Sequence, residues 1–298
     1  MQKLPIGKTV AAAYTFTLSN LGAIIGLIWI PMLIVTVLGF FANMTLTNAH
    51  IAALDTKSAA TLVPGFLWIV VFYLMAFLAN AMMLVAVLQL ALGKRSGQVF
   101  AHFSLGPQEW RLFGANMLLV LIVIGFTTAV SVIAAAAMNA LGGTAMPAPQ
   151  QAGMALALLV VLIVAFVIFA RLAFFVPAVT LVEEKIDLGR GWALLGGNML
   201  RLIVVIILLT VPILILYVGM EVAVLGPKAA LGAMADAGGT QTPTIDDLRA
   251  QQKIAPVVQA LGFFIAPFVV GLNAGAVAFA YRTLTTVAPL SVPEPEAQ

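Results

Sequence analysis

Residues 191–205, GWALLGGNMLRLIVV, change character halfway along. The first half carries a tryptophan, a pair of glycines and an asparagine. From Leu202 to Met220 the chain is uncharged and almost wholly apolar, close to the length of about 20 residues that a helix needs to cross a bilayer. Tryptophan and arginine are typical of the boundary between membrane and water. The stretch therefore predicts the start of a membrane-spanning helix.

The whole chain has the composition of an integral membrane protein. Of its 298 residues, 63% are hydrophobic and only 8% are charged, whereas soluble domains carry about 25% charged residues. The chain has no cysteine, which excludes disulfides and thiolate metal sites. The net charge of +3 comes from scattered basic residues, which does not fit a nucleic-acid partner.

Apolar runs long enough to span a membrane recur along the chain. They are continuous rather than alternating, and an isolated segment in lipid must satisfy its own backbone polar groups, so they predict helices rather than strands. The predicted fold is an all-α protein with six transmembrane helices in a single membrane domain over 1–298, with a disordered, proline-rich tail at 288–298. The spans cover approximately 16–42, 63–92, 112–141, 153–182, 202–226 and 254–284.

Lysine and arginine divide unequally between the two sides of this topology. If the N-terminus is cytoplasmic, nine lie inside and four outside, and basic residues favour the cytoplasmic side. We therefore expect a bacterial inner-membrane protein with both termini in the cytoplasm. The inner residues are Lys3, Lys8, Lys94, Arg95, Arg111, Lys185, Arg190, Arg201 and Arg282, and the outer ones are Lys57, Lys228, Arg249 and Lys253.

A short pattern recurs at the start of the odd-numbered spans. An aromatic residue stands six positions before an asparagine in each: Tyr14 and Asn20, Trp110 and Asn116, Trp192 and Asn198. The pattern predicts three tandem helical hairpins of parallel orientation, around 1–92, 93–182 and 183–298. The alternative is composition bias, because apolar helices with aromatic ends resemble one another.

The glycine pair suggests how the third of these starts is built. Trp192 and Arg201 are suited to the membrane boundary. Gly196 and Gly197 are the expected site of a bend, and Asn198 is expected to cap the spanning helix. A similar inner-surface helix is expected over 103–116. These segments form either a ring that grips one leaflet or ordinary interfacial anchoring.

Arg171 is the most unusual polar residue within a span. A charge at a helix centre costs about 2.5–3.5 kcal/mol on insertion scales and marks a functional site by default. In a straight helix ending at Glu183 it would lie about 18 Å deep. Asn80 and Asn273 are the expected members of a central polar patch with Arg171, either as structural glue or around a functional cavity. Glu221 is expected near the outer interface.

The sequence contains no recognisable motif for catalysis, metal binding or nucleotide binding. The two histidines, His50 and His102, fall on opposite sides of the predicted topology, so they cannot share a metal ion. No nucleotide or phosphate-binding glycine motif occurs. We therefore predict no catalytic residue, no metal and no cofactor, and a membrane enzyme acting on lipid is the least favoured interpretation.

The segment 171–202, RLAFFVPAVTLVEEKIDLGRGWALLGGNMLRL, resembles a widespread bacterial membrane family. The family includes the membrane domain attached to some glycerophosphodiester phosphodiesterases and stand-alone six-helix relatives. The matching residues are Arg171, Pro177, a glutamate at Glu183 or Glu184, and the Trp192-to-Arg201 segment. The phosphodiesterase domain itself has no counterpart here, so the resemblance implies a six-helix fold and no hydrolase activity.

Two functions remain as expectations. The first is a non-catalytic protein that organises or contacts membrane lipids, and partner membrane proteins or further copies of itself. The second is a transporter or lipid-handling permease with a polar site around Arg171.

Overall fold

A computed structural model describes residues 3–56, 58–95, 102–140, 148–226 and 245–285. The tail predicted at 288–298 lies outside these residues, and so do 142–147 and 227–244 of the outer loops that hydropathy places at 142–152 and 227–253. The remaining residues of these two loops are helical. The described chain is built of helices joined by short turns, with a 3-10 turn at Ala59–Leu62. The helices are α1 (Ile6–Ser19), α2 (Leu21–Thr56), α3 (Val63–Ala91), α4 (Pro107–Ala140), α5 (Ala148–Ala173), α6 (Val176–Val182), α7 (Leu188–Leu194), α8 (Met199–Leu225) and α9 (Ile245–Thr285).

Six helical segments of the described chain are long and apolar enough to cross a membrane, which confirms the all-α polytopic fold. They are α2, α3, α4, α5 continued into α6, α8 and most of α9. Each of the six apolar runs in the sequence falls on one of them. The protein is therefore a multi-pass membrane protein.

Contacts between helix ends define two faces. At one end the Tyr281 hydroxyl donates to the Glu183 carboxylate, 3.0 Å away, which joins the end of α9 to the end of α6. At the other end Gln252 Nε2 donates to Asn48 Oδ1 over 2.8 Å, joining α9 to α2. We call the first the proximal face, because α1 begins there, and the second the distal face.

The core is concentrated toward the proximal face. Every residue from Ala81 to Leu88 of α3 is buried, which makes α3 the central helix at this level. All of α6 from Val176 to Leu181 is buried as well, against α3, α4 and α9. By contrast, α4 and α5 present long rows of exposed large apolar side chains, as expected of helices whose solvent is lipid.

Helix α1 is an element that the sequence did not predict. It packs along α9 through small residues, and its buried face consists of Thr9, Ala13 and Thr17. A Cβ on Gly271 would lie 2.8 Å from Thr17 Cγ2, and one on Gly275 would lie 3.1 Å from the Ala13 Cα. The glycines therefore let two helices of the same chain approach closely.

The starts of the odd-numbered spans are not alike. Asn20 and Asn198 each stand at a break, and their backbone carbonyls accept the first hydrogen bonds of α2 and α8. Asn116 lies inside the continuous helix α4, so the prediction of a separate surface helix over 103–116 is wrong. Gly197 has φ +72°, which an alanine resists, and its counterpart in the second copy is Ala115.

The two longest helices exceed the thickness of the hydrocarbon layer by the widest margin. At 36 and 41 residues, α2 and α9 measure about 54 and 62 Å, against a hydrocarbon layer of about 30 Å. Even at a tilt of about 40° each would exceed that layer by more than 10 Å. Their polar distal ends therefore extend beyond it.

Candidate functional site at the proximal face

Arg171 meets Trp192. Its Nη2 donates to the Trp192 backbone carbonyl over 3.1 Å, and its Cζ lies 3.7 Å from the centre of the Trp192 ring. A guanidinium over an indole is stabilised by the ring's negative face. The pair joins the last turn of α5 to α7, which is 21 positions further along the chain.

Two residues explain how these partners meet. Pro177 has no N–H and its ring crowds the carbonyl four residues earlier, which is that of Ala173, where α5 ends. Gly191 then packs α7 directly against the break, since a Cβ there would be in van der Waals contact with the Leu172 carbonyl oxygen, 3.6 Å away. The span is therefore interrupted close to Arg171, and α7 covers the interruption.

This arrangement brings the Arg171 head toward the charged loop before α7. Asp187 caps α7, with its Oδ1 accepting from the Arg190 N–H at 2.8 Å. Trp192 follows five residues later, at most about 8 Å along the helix. The Arg171 guanidinium is therefore closer to the proximal boundary than the depth of about 18 Å expected from a straight helix.

The Trp192 carbonyl is a suitable acceptor for a cation. It belongs to the last turn of α7, where backbone carbonyls lack helical partners and the helix dipole is negative. Arg171 Nε is buried and has no hydrogen-bond partner among the described residues. A guanidinium carries five N–H groups, four of them on the two Nη atoms. The Trp192 carbonyl accepts from one of these four. The others can donate to a further acceptor.

Neither Asn80 nor Asn273 is bonded to Arg171 in the described part of the chain. Both asparagines are exposed, on α3 and α9. Asn273 lines a mainly apolar groove of about 290 Å³ beside Thr210 and Pro177, between α6, α8 and α9. The sequence thus identified three polar residues within spans, but Arg171 has a different partner from the expected ones.

Asn198 and Arg201 hold the beginning of the chain. Asn198 Oδ1 accepts from the Leu4 N–H at 2.8 Å, and Arg201 Nη1 donates to the Leu4 carbonyl at 3.0 Å. Asn198 stands at the N-cap position of α8, but its side chain makes no capping bond there. The expected cap is therefore a link between α8 and the segment before α1.

The glycine pair forms the expected bend. Gly196 N–H donates to the Ala193 carbonyl at 3.0 Å, which closes a turn after α7, and Gly197 follows with positive φ. Asn20 plays a comparable part after α1, since its Nδ2 donates to the Phe16 carbonyl at 2.9 Å and so caps the end of α1.

The other predicted anchors have different surroundings. Trp110 is half exposed and lies edge-on to Phe113, with ring centres 5.6 Å apart. Tyr14 is directed at a neighbouring helix, with its hydroxyl 3.5 Å from the Leu208 carbonyl in α8. Asn116 is half buried within α4. Trp110 therefore has the exposure of an interfacial anchor, whereas Tyr14 connects two helices.

A charged network lies beside the Arg171 site. Glu183 accepts from Arg190 Nε at 3.1 Å and from the Tyr281 hydroxyl at 3.0 Å, and Lys185 Nζ lies 3.5 Å from it. Burial alone would raise the pKa of Glu183, but the hydrogen bonds from Arg190 and Tyr281 outweigh it and hold that pKa below its usual value. The network fastens α6, α7 and α9 together.

A polar cavity of about 400 Å³ lies on the proximal face, before α4. His102 Nδ1 is 3.0 Å from Arg95 Nη2, and the buried carboxylate of Glu109 lines the same space. Burial, followed by the Arg95 charge, lowers the pKa of His102, so its imidazole is neutral at pH 7. Among the described residues, no group of three or more His, Cys, Asp or Glu is placed to hold a metal ion.

A cavity at the distal face was not predicted from the sequence. It occupies about 630 Å³ at the distal face between α2, α8 and α9, and Glu221 lines it. The sequence placed Glu221 near the outer interface, but the cavity depends on the α2–α9 contact, which no local pattern reveals.

Comparison with models of protein families, with curated proteins and with solved structures finds no match for this chain.

Proposed function

We propose that this multi-pass protein acts without catalysis by contacting membrane lipids and partner membrane proteins. The Arg171–Trp192 pair carries the proposal. It combines an amphipathic ring that is 37% exposed with a guanidinium that keeps free donors close to a charged loop. Planar guanidinium donors match the oxygens of a phosphate, so the pair suits the headgroup of a phospholipid in the proximal leaflet.

The geometry argues against a transport site around Arg171 as well. A permease needs a polar cavity that a ligand can enter, whereas the groove beside Asn273 is mainly apolar and is lined by neither Arg171 nor Asn80. The resemblance of residues 171–202 to the membrane domains found with some glycerophosphodiester phosphodiesterases is compatible with a role beside lipids. We include membership of that family in the proposal.

Partner contacts are proposed for the α4–α5 hairpin. Between these helices lies an apolar cleft of about 330 Å³, lined by residues such as Val123 and Phe166. Large exposed apolar side chains surround it, including Leu121, Ile133 and Ile163. Lipid tails or the helices of another membrane protein, including a second copy of this chain, would cover such a surface.

Orientation is part of the proposal too. The described basic residues at the proximal face include Arg95, Arg111, Lys185 and Arg190. The excess of lysine and arginine on this side supports a cytoplasmic proximal face in a bacterial inner membrane, with both termini inside.

The experiment is native mass spectrometry of the protein in mild detergent, which reports retained phospholipids and subunit number together. We expect Arg171→Ala to reduce retained anionic phospholipid about tenfold, because one charged hydrogen bond to phosphate is lost. Arg171→Lys should keep part of the binding as a point charge. Arg111→Ala, another arginine at this face, is the matched control and should retain lipid as the wild type does.

Folding is checked by helical circular dichroism and by elution as a single species. If folded Arg171→Ala retains as much lipid as the control, the proposed headgroup contact is wrong. Hydrolysis of a lipid or phosphodiester by the purified wild type would contradict the absence of catalysis.

A further inference from the structure

The distal cavity has the dimensions and lining of a small-molecule site. Its volume of about 630 Å³ is in the range of ligand pockets. Phe40, Met44 and Pro256 are among the apolar residues of the lining, and charged and amide side chains supply most of its polar part. An amphiphilic lining of this kind suits a molecule that has both polar and apolar parts.

Glu221 is the unusual residue in this lining. It is only 9% exposed, yet no hydrogen bond or ion pair engages its carboxylate among the residues that the structure describes. Glu221 lines the cavity, so its carboxylate is accessible from that space although most of the residue is buried. A cationic ligand in the cavity would give it the partner that the described chain does not supply.

Two basic residues, Arg249 and Lys253, line the same cavity. Lys253 is exposed, and it is not within 4.0 Å of a carboxylate in any ion pair between described residues. The amide of Gln259 lies in the lining as well. One cavity therefore holds a separated negative and positive group, which is the complement of a zwitterion.

We propose that the distal cavity binds a zwitterion with a primary ammonium group and a phosphate, the chemistry of a phosphatidylethanolamine headgroup. The ammonium donates to Glu221, and the phosphate lies toward Lys253. The site is separate from the Arg171–Trp192 pair and goes beyond the proposed lipid contact, since it selects one headgroup. A quaternary ammonium cannot donate hydrogen bonds, so phosphatidylcholine should bind weakly.

The test uses full-length protein in vesicles of equal parts phosphatidylethanolamine, phosphatidylcholine and phosphatidylglycerol, extracted in mild detergent and examined by native mass spectrometry. The wild type should retain phosphatidylethanolamine about tenfold over phosphatidylcholine. Glu221→Gln should lose this preference to within about twofold while unfolding at the same or a higher temperature, because it removes a buried charge. Glu184→Gln, at the proximal face, is the matched control.

Lys253→Gln is the second variant and alters an exposed position, so folding is not at risk. It should weaken retention of both phosphatidylethanolamine and phosphatidylglycerol at the distal site. Competition with soluble phosphoethanolamine distinguishes binding of the free headgroup from binding of the whole lipid. Displacement of the lipid shows that the free headgroup is sufficient, and lack of displacement shows that the site takes the whole lipid.

Three results would overturn the proposal. The first is equal retention of all three lipids by the wild type together with no binding of phosphoethanolamine. The second is an unchanged preference in folded Glu221→Gln. The third is a Glu221→Gln protein that unfolds while Lys253→Gln binds like the wild type, which would make Glu221 structural. None of these depends on the Arg171 result.

Discussion

At the scale of single residues, the placement of Arg171 shows how a charge is accommodated in an apolar span. Helix α5 ends two residues after Arg171. The guanidinium then contacts the backbone carbonyl and the ring of Trp192 in α7. The charge therefore has partners within the chain and lies near a polar loop. Its cost is lower than that of an arginine at the centre of an isolated helix.

Glu183 gives a residue-scale prediction on pH. Its pKa is lowered in the folded protein, so its contribution to stability is present above the ordinary glutamate pKa of about 4.3 and is lost as pH falls through the lower folded value. Glu183→Gln should lower the free energy of unfolding by about 1–2 kcal/mol at pH 7. In the wild type the free energy of unfolding should fall between pH 5 and pH 3, and Glu183→Gln should remove much of this fall.

Thermal unfolding in detergent at several pH values measures this effect. Glu184→Gln is the control, because its ion pair with Arg111 is 3.6 Å long and exposed, and a change within about 0.5 kcal/mol is expected. Equal destabilisation by both variants would show that Glu183 is no more than another surface charge.

The sequence identified Arg171 and Trp192 but not their contact. Each is recognisable alone, one as a charge in an apolar run and the other as a boundary aromatic. Their contact depends on the break before Pro177 and on the packing of α7 against that break, which are tertiary features. The signal was present in the proline six residues after Arg171, but a proline in a membrane helix is too common to assign a partner.

At the scale of elements, two glycines of α9 allow it to pack closely against another helix of the same chain. Gly271 and Gly275 form a G-x-x-x-G pattern that also occurs at helix dimer interfaces, and here it faces α1. The sequence placed the first span at 16–42 and missed α1, because its mixture of alanine, threonine and tyrosine is not long or apolar enough to stand out. The packing of α1 on α9 is a tertiary contact that hydropathy does not register.

Gly275→Ala tests this packing. The new Cβ would lie 3.1 Å from the Ala13 Cα, so the backbone of α1 must move. We expect a loss of about 1–3 kcal/mol, measured by thermal unfolding of the detergent-solubilised protein. Gly262→Ala on the same helix has no atom within 4 Å and should be neutral or gain up to about 1 kcal/mol. If the two variants unfold at the same temperature, the close approach of α1 to α9 is wrong.

At the scale of the whole molecule, the six spans were predictable because lipid leaves few options. Continuous apolar runs must form helices, and the six runs match six helical segments in the described chain. The long distal ends of α2 and α9, and the cavity between them, were not predictable, since polar residues such as Gln252 and Lys253 resemble an ordinary loop in sequence. The three-hairpin repeat stays a prediction, with comparable breaks after α1 and α7 and a continuous helix in the second copy.

The position of the molecule in the bilayer follows from its proximal face. The charged residues 183–190 belong in water or among headgroups, and Trp192 lies at most about 8 Å from Asp187. Arg171 is in contact with Trp192. The pair should therefore lie at the boundary of the proximal leaflet, which is where a lipid-contacting role requires it.

The depth of Trp192 is the most direct measurement of this position. A variant that keeps Trp192, with phenylalanine in place of Trp29, Trp68 and Trp110, is reconstituted in vesicles of phospholipid brominated either near the headgroup or near the chain end. We predict stronger fluorescence quenching by bromine near the headgroup. Stronger quenching by bromine at the chain end would place the Arg171–Trp192 pair at the membrane centre and contradict a contact with lipid headgroups.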